Sequence, residues 1–275
     1  MLFVDRRTFH GLMLASPALC VSLLTLMCER LRWTSSIIED AHFRDVRTRL
    51  ARRLHKLLGE YGVPDAAGET VYEAGIGTGV AALCLLARCP DIHVTGIEVA
   101  SRYAMLCEEN AKRNGLAGAV RVIHADIKEA LRKDLASMPS HGSFSHAFAN
   151  PPYFEEGKAT PSPNLLKAAA HAFGPEDLDL WMRVLHTMVT LRGTVTVVHR
   201  AETLGKLLAV MEDRFGDIRI APLYAREGTA ASRVVVQGVK GSKAPMQLLP
   251  GLVLHDPSSQ FTPEAESILR DGMAW

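Results

Sequence analysis

From Thr70 onward, apolar and polar residues follow two alternating rhythms. Short β-rich runs bounded by turn residues predict strands at TVYEAG (70–75), IHVTGIE (92–98), VRVIHA (120–125), SHAFAN (145–150) and GTVTVVHR (193–200). Between them, longer runs with one apolar face predict helices at VAALCLLARC (80–89), SRYAMLCEENAKRNG (101–115), near KEALRKDLA (128–136), at PEDLDLWMRVLHTMV (175–189) and at AETLGKLLAVMEDRF (201–215). Gly115 is the expected stop of the second helix, and Pro175 the opener of the fourth. The last two predicted strands, DIRIAPLY (217–224) and SRVVVQGVK (232–240), have no helix between them. A β-α repeat closing on a hairpin predicts an α/β fold: a doubly wound, mostly parallel, seven-stranded sheet with one antiparallel strand near the C-terminus.

Before Thr70 the pattern changes. Residues 11–28, GLMLASPALCVSLLTLMC, carry no charge and come after Arg6-Arg7-Thr8-Phe9. The stretch resembles a signal sequence or anchor, and a buried helix is the competing reading. Residues 44–58 predict a second helix, with Val46, Leu50, Leu54 and Leu57 on one face. Its other face carries Arg44, Arg47, Arg49, Arg52, Arg53 and Lys56 against the single acid Asp45, which suits either nucleic acid or plain solvent. The organisation expected is a divergent N-terminal segment over 1–66 and a main domain over 67–275. The chain beyond the apolar stretch reads as intracellular, so the expected location is the cytoplasm, with no stable membrane partner.

Composition changes this picture little. A chain of 275 residues with 48% hydrophobic content supports one large domain, or one with a small addition. A net charge of +1 excludes a polycation, so nucleic-acid contact must come from local patches. Cys20, Cys28, Cys84, Cys89 and Cys107 are odd in number and lack CxxC spacing, which predicts reduced thiols rather than a disulfide frame or zinc site. No histidine pair has ligand spacing with an acid, so no metal is expected.

Candidate chemistry begins at YEAGIGTG (72–79), where Gly75, Gly77 and Gly79 lie between a predicted strand and helix. Glycines there let the backbone turn tightly and approach a ligand, but such a loop alone serves a dinucleotide, a phosphate or a turn. Three acids narrow the choice. Glu73, at the first strand's end, suits a ligand with positive charge or several N–H donors better than a bare pyrophosphate. Glu98 ends the second strand, where an acid can hold both ribose hydroxyls. Asp126 comes just after the third strand, placed to accept from an adenine amine. Acids at three successive strand ends describe a nucleoside pocket without phosphate binding, which fits S-adenosyl-L-methionine. For any one acid, a helix N-cap or surface carboxylate is the competing reading.

The fourth predicted strand ends on FANPPYFEEG (148–157). Pro151 and Pro152 stiffen the backbone and leave their carbonyls as acceptors. The Asn150 side-chain oxygen and the Pro151 carbonyl can together hold both hydrogens of a planar –NH2, and Tyr153 can stack on the flat group bearing it. Asn150 is also expected to touch the cofactor at its margin. Methylating such a nitrogen is mainly a matter of orientation. A plain strand-ending turn is the competing reading.

EAGIGTG, GIE, HADI and NPPY, in that order, resemble the class I methyltransferases acting on exocyclic or amide nitrogen. REGTAASRVVVQGVKGSKAP (226–245) and LPGLVLHDPSSQFTPEAESILRDG (249–272) resemble the bacterial valine-tRNA adenine N6-methyltransferase family. The resemblance covers about residues 68–275 and implies that family's Rossmann-like fold. It implies cofactor roles for Glu73, Gly75, Gly77, Gly79, Glu98 and Asp126, and substrate-amine roles for Asn150, Pro151, Pro152 and Tyr153. The implied activity is transfer of a methyl group from S-adenosylmethionine to adenine N6 in RNA, with tRNA as partner. A protein glutamine N5-methyltransferase, or a relative impaired by its altered N-terminus, are the alternatives. Residues 1–60 lack the β-rich lead and Gly-Arg-Ala-Gly-type segment usual in that family.

Other marked positions carry weaker signals. His171 suits a phosphate or base, or simple packing. The polar loop 154–164 suits a substrate lid or an inert surface. Arg226, Arg233, Lys240 and Lys243 are expected to gather around the terminal hairpin, facing RNA or solvent.

Overall fold

The computed structural model describes residues 69–132, 137–151 and 177–268. The apolar stretch at 11–28, the basic helix at 44–58 and the whole 1–66 segment lie outside them. The elements are β1 (Thr70–Ala74), α1 (Val80–Leu86), β2 (His93–Glu98), α2 (Ser101–Arg113), β3 (Val120–His124), β4 (Phe144–Ala149), α3 (Asp177–Met188), β5 (Val189–Arg200), α4 (Leu204–Met211), β6 (Phe215–Arg226), β7 (Ala231–Lys240), β8 (Gln247–Leu248), β9 (Leu252–His255) and α5 (Pro263–Glu266).

The sheet runs β3-β2-β1-β4-β5-β7-β6, with β8 and β9 along the outer side of β6. Pairings from β3 through β5 are parallel. Among the described strands β7 alone runs antiparallel to its neighbours. This is the mixed, mostly parallel sheet of the class I methyltransferase fold. It has nine strands rather than the seven expected. The two additions are two and four residues long, too short for alternation to reveal. Pro222 falls between the segments of β6 that pair with β8 and with β9, where a missing N–H removes no ladder bond to either.

Alternation along each strand builds two cores, one on each side of the sheet. Tyr72, Ala74, Ala147, Ala149, Val195 and Val197 face Trp181, Met182, Leu185 and Met188 of α3. Val71, Phe148 and Val198 belong to the opposite core with Leu85 and Leu86 of α1 and Cys107 of α2. Val71 through Ala74 are all buried, as in a central strand covered on both faces.

Helix boundaries obey local chemistry. α2 buries Ala104, Cys107 and Ala111, places Lys112 and Arg113 at its negative end, and is followed by Gly115 at φ 71°. Within the stretch near KEALRKDLA, Ile127–Leu131 form a 3-10 helix, and residues 133–136 lie outside the described residues. α3 passes into β5 without a loop, so that strand starts at Val189, four residues before the apolar run suggested. The extra length is irregular: the pairing with β4 shifts between Phe144 and His146, and Arg192 adopts φ 71°. Lys240 secures the junction, its Nζ donating to the carbonyls of His186 (2.7 Å) and Val189 (2.8 Å). At the amino end of the sheet, buried His146 lies between Thr194 Oγ1 (Nδ1, 2.6 Å) and Glu69 Oε2 (Nε2, 3.2 Å), joining three chain segments.

Candidate active site

β1 and β2 end side by side, with Glu73 opposite Gly96 and Ala74 opposite Ile97. The chain then turns through Gly75, Gly77 and Gly79, at φ 71°, 57° and 83°. Side chains rarely tolerate this left-handed region, so the three glycines are a backbone requirement. Ile76, buried between them, donates its N–H to the Ile97 carbonyl at 3.0 Å and accepts from Gly79 N at 3.0 Å.

Three neighbours that sequence reasoning missed shape the loop. A Cβ on Gly96 would lie 2.5 Å from both Cβ and Cδ1 of Ile76, so β2 must be bare there for the loop to seat. A Cβ on Gly75 would meet the Trp181 ring of α3 at 2.8 Å. Asn110 of α2 donates from Nδ2 to the Thr78 carbonyl at 3.0 Å. Only Gly96 gave a signal, as a glycine inside a strand pattern.

Glu98 is buried at the end of β2 and both its oxygens are engaged. Oε2 accepts from Gly77 N at 2.9 Å and Oε1 from Ala100 N at 2.9 Å. Two backbone donors fix the orientation of the carboxylate, while each oxygen keeps a further acceptor site. Glu73 is also buried, at the end of β1. The charge of this corner registers on Cys107, whose thiol pKa is pushed up to about 12, first by burial and then by Glu73, Glu108 and Glu98.

Asp126 lies just past β3 and caps the 3-10 helix. Its Oδ1 accepts from Lys128 N at 2.9 Å, and Glu129 Oε1 accepts from Asp126 N at 3.4 Å. The capping interpretation is therefore realised, at the same carboxyl edge of the sheet as Glu73 and Glu98.

Across β1, Ala74 pairs with Ala149 of β4. Asn150 thus succeeds β4 where Gly75 succeeds β1, one strand spacing or about 5 Å apart. Asn150 is half-buried and Pro151 buried. Pro152, Tyr153, the 154–164 loop and His171 lie outside the described residues.

The four hairpin cations do not gather. β7 pairs Arg233 with Leu223 at one end and Lys240 with Phe215 at the other. Arg233 and Arg226 therefore stand at the carboxyl edge, while Lys240 and Lys243 stand at the opposite edge. Lys240 is half-buried and engaged with two carbonyls, and desolvation lowers its pKa.

The donor set fits S-adenosylmethionine. Residues 72–80 and 96–101 contain Glu73 and Glu98 but no lysine or arginine. That suits a cationic sulfonium and a ribose diol, and opposes a pyrophosphate. Among the described residues, no three of His, Cys, Asp and Glu are grouped to hold a metal ion. None of their helices is long and apolar enough to cross a membrane, and Cys84, Cys89 and Cys107 form no disulfide.

The methyltransferase-domain family model matches residues 71–156. Together with the fold and the acid-lined glycine loop, it defines a class I S-adenosylmethionine-dependent methyltransferase. The resemblance noted in the sequence is borne out among curated relatives. The tRNA1(Val) (adenine(37)-N6)-methyltransferase of Shewanella baltica strain OS155 is 22% identical over 209 residues, covering 74% of this chain and 84% of its own length. The protein of the same name in Actinobacillus succinogenes is 25% identical over 207 residues, covering 75% and 83%. In fold, the chain is similar to a predicted O-methyltransferase from Agrobacterium tumefaciens, with TM-score 0.65, 22% identity and coverage of 82% and 97%. It is also similar to the methyltransferase subunit of a type I restriction-modification system from Streptococcus thermophilus, with TM-score 0.55, 17% identity and coverage of 82% and 51%.

Proposed function

We propose that this chain methylates the exocyclic N6 of an adenine in RNA, with a tRNA as substrate and the cytoplasm as its place of work. The observation that carries the reading is the β1–β4 register, which puts the start of the glycine loop beside the Asn150-Pro151 elbow. A cofactor on the loop and an amine on the elbow then meet at one sheet edge. The names of the curated relatives support tRNA over other carriers of a planar amine.

In this reading Glu98 holds the ribose diol, Glu73 faces the cationic end of the cofactor, and Gly75, Gly77 and Gly79 let the backbone approach it. Asp126 contributes an acceptor toward the adenine while capping its helix. When bound, S-adenosylmethionine supplies a methyl group on a positively charged sulfur. Asn150 Oδ1 and the Pro151 carbonyl each accept one hydrogen of the substrate amine, which aims the nitrogen lone pair along the line of transfer. The rigid Pro151-Pro152 backbone keeps those acceptors in place, and Tyr153 stacks on the adenine ring. Such stacking offsets about 1–3 kcal/mol of the cost of taking a base from its context.

Mass spectrometry of nucleosides from purified tRNA of a deletion strain tests the proposal. Loss of N6-methyladenosine, mapped to adenine 37 of a valine tRNA, is the expected result. Unchanged N6-methyladenosine together with lost N5-methylglutamine in protein would assign the same elbow to a glutamine amide.

A further inference from the structure

The sheet's carboxyl edge continues beyond the elbow, and its next two strands carry arginines there. Arg200, the last residue of β5, pairs directly with Arg233 near the start of β7. Directly opposed residues point to the same face, with Cβ atoms about 4.5–5.5 Å apart. Like charges in that position repel, and a bridging anion relieves the repulsion. Glu202 ion-pairs with Arg200 at 2.8 Å, but its side chain is 63% exposed whereas that of Arg200 is 26% exposed. Further out, Arg226 sits with Glu227 and Asp256 nearby in the chain and the adjoining turn, so charge of both signs is mixed there.

The distance of the arginine pair from the elbow is set by register. Val197 pairs with Ala149, so Asn150 is level with Val198 and Arg200 lies two residues further along. That is about 7 Å along the strand and about 5 Å to the side, within the span of one nucleotide. Buried His199, the residue before Arg200 on β5, reports the local field. Its pKa is lowered by burial first and then by Arg233, with Arg200 adding a smaller Coulombic contribution in the same direction.

We propose that Arg200 and Arg233 form a clamp for one backbone phosphate of the RNA substrate, beside the nucleotide whose amine is held at Asn150. This rests on the RNA reading above. Two guanidinium forks converging on one phosphate fix the register of the strand, while the elbow selects the base. Arg200 and Arg233 are positioning residues in this scheme, remote from the reacting atoms.

The test is the salt dependence of tRNA affinity for wild-type protein, R200A, R233A and R200A/R233A, with S-adenosylhomocysteine binding measured alongside. Loss of one phosphate contact lowers the slope of log K against log salt by about 1. Because both arginines share one phosphate, each single variant should lose part of that unit and the double variant the whole of it. R233K should restore the slope, and K243A at the opposite edge should leave it unchanged. If the alanine pair fails to bind S-adenosylhomocysteine, R200Q and R233Q carry the test singly with the same expectation. An unchanged slope in the double variant, or an equal loss in K243A, overturns the clamp while the RNA reading stands. Wild-type protein that binds S-adenosylhomocysteine but neither binds nor methylates tRNA overturns the RNA reading, and the clamp with it.

Discussion

Substituting alanine at Gly96 perturbs the cofactor loop from inside β2, opposite Glu73. The added Cβ would lie 2.5 Å from Cβ and Cδ1 of Ile76 and 2.9 Å from its Cγ1. Carbon atoms in good contact sit about 3.5–4.0 Å apart, so the shortfall is at least about 1 Å. Rotating the isoleucine cannot relieve it, because its Cβ is fixed to the backbone. That backbone is itself tied to β2 through the 3.0 Å bond from Ile76 N to the Ile97 carbonyl. The strain must move the segment carrying Gly75 and Gly77. Overpacking of this kind costs about 1–3 kcal/mol. For a chain of this size, that is a fall of about 2–12 °C in melting temperature. A site displaced by about 1 Å loses about 100-fold in rate. G96A should therefore fold, melt earlier, bind S-adenosylhomocysteine at least about tenfold more weakly, and turn over about 100-fold more slowly. Thermal melts and calorimetric titration check this. A variant with wild-type melting and affinity within twofold would refute the claim that β2 packing seats the loop.

Glu98→Ala removes the acceptor of two loop N–H groups and of the proposed ribose contacts; at about 1.5–3 kcal/mol per bond to a charged group, calorimetry should show at least tenfold weaker S-adenosylhomocysteine binding. Asn150→Ala should abolish methylation of tRNA yet hold cofactor affinity within a few-fold; wild-type turnover would make the elbow purely structural. Tyr153→Phe should keep most activity and Tyr153→Ala lose it, since the ring rather than the hydroxyl is used. Folding holds His199 and His186 below the ordinary histidine pKa, through burial first and then nearby cations. Stability from their neutral forms is complete above about pH 6.5 and is lost as pH falls from there through the lower folded pKa values, because the unfolded chain then binds more protons. Urea titrations between pH 7.5 and 5.5 should show this fall, and H199N should flatten it.

The repeat of β and α elements was legible because parallel strands buried on both faces read as continuous apolar runs, as TVYEA does. The placement of Glu73, Glu98 and the three glycines was legible too, since strand ends fix where the carboxyl edge of such a sheet must lie. Contacts between distant segments were not. Trp181 meets Gly75, and Asn110 meets Thr78, through packing that no local spacing encodes. The hairpin misled for a related reason. Arg233 and Lys240 are close in sequence, but an extended strand carries them to opposite edges of the sheet. β8 and β9 escaped because their pairing depends on the path of β6 rather than on their own few residues.

The ring of Trp181 over the α-carbon of Gly75 gives this protein a built-in optical probe. The chain has three tryptophans, Trp33, Trp181 and Trp275. With phenylalanine at 33 and 275, emission would come from a single indole at the floor of the cofactor loop. A cation arriving nearby perturbs that indole's excited state, so loading and release become visible in real time without a label. Rapid-mixing fluorescence could then separate cofactor exchange from the arrival of RNA, two events that steady-state turnover reports only as one rate.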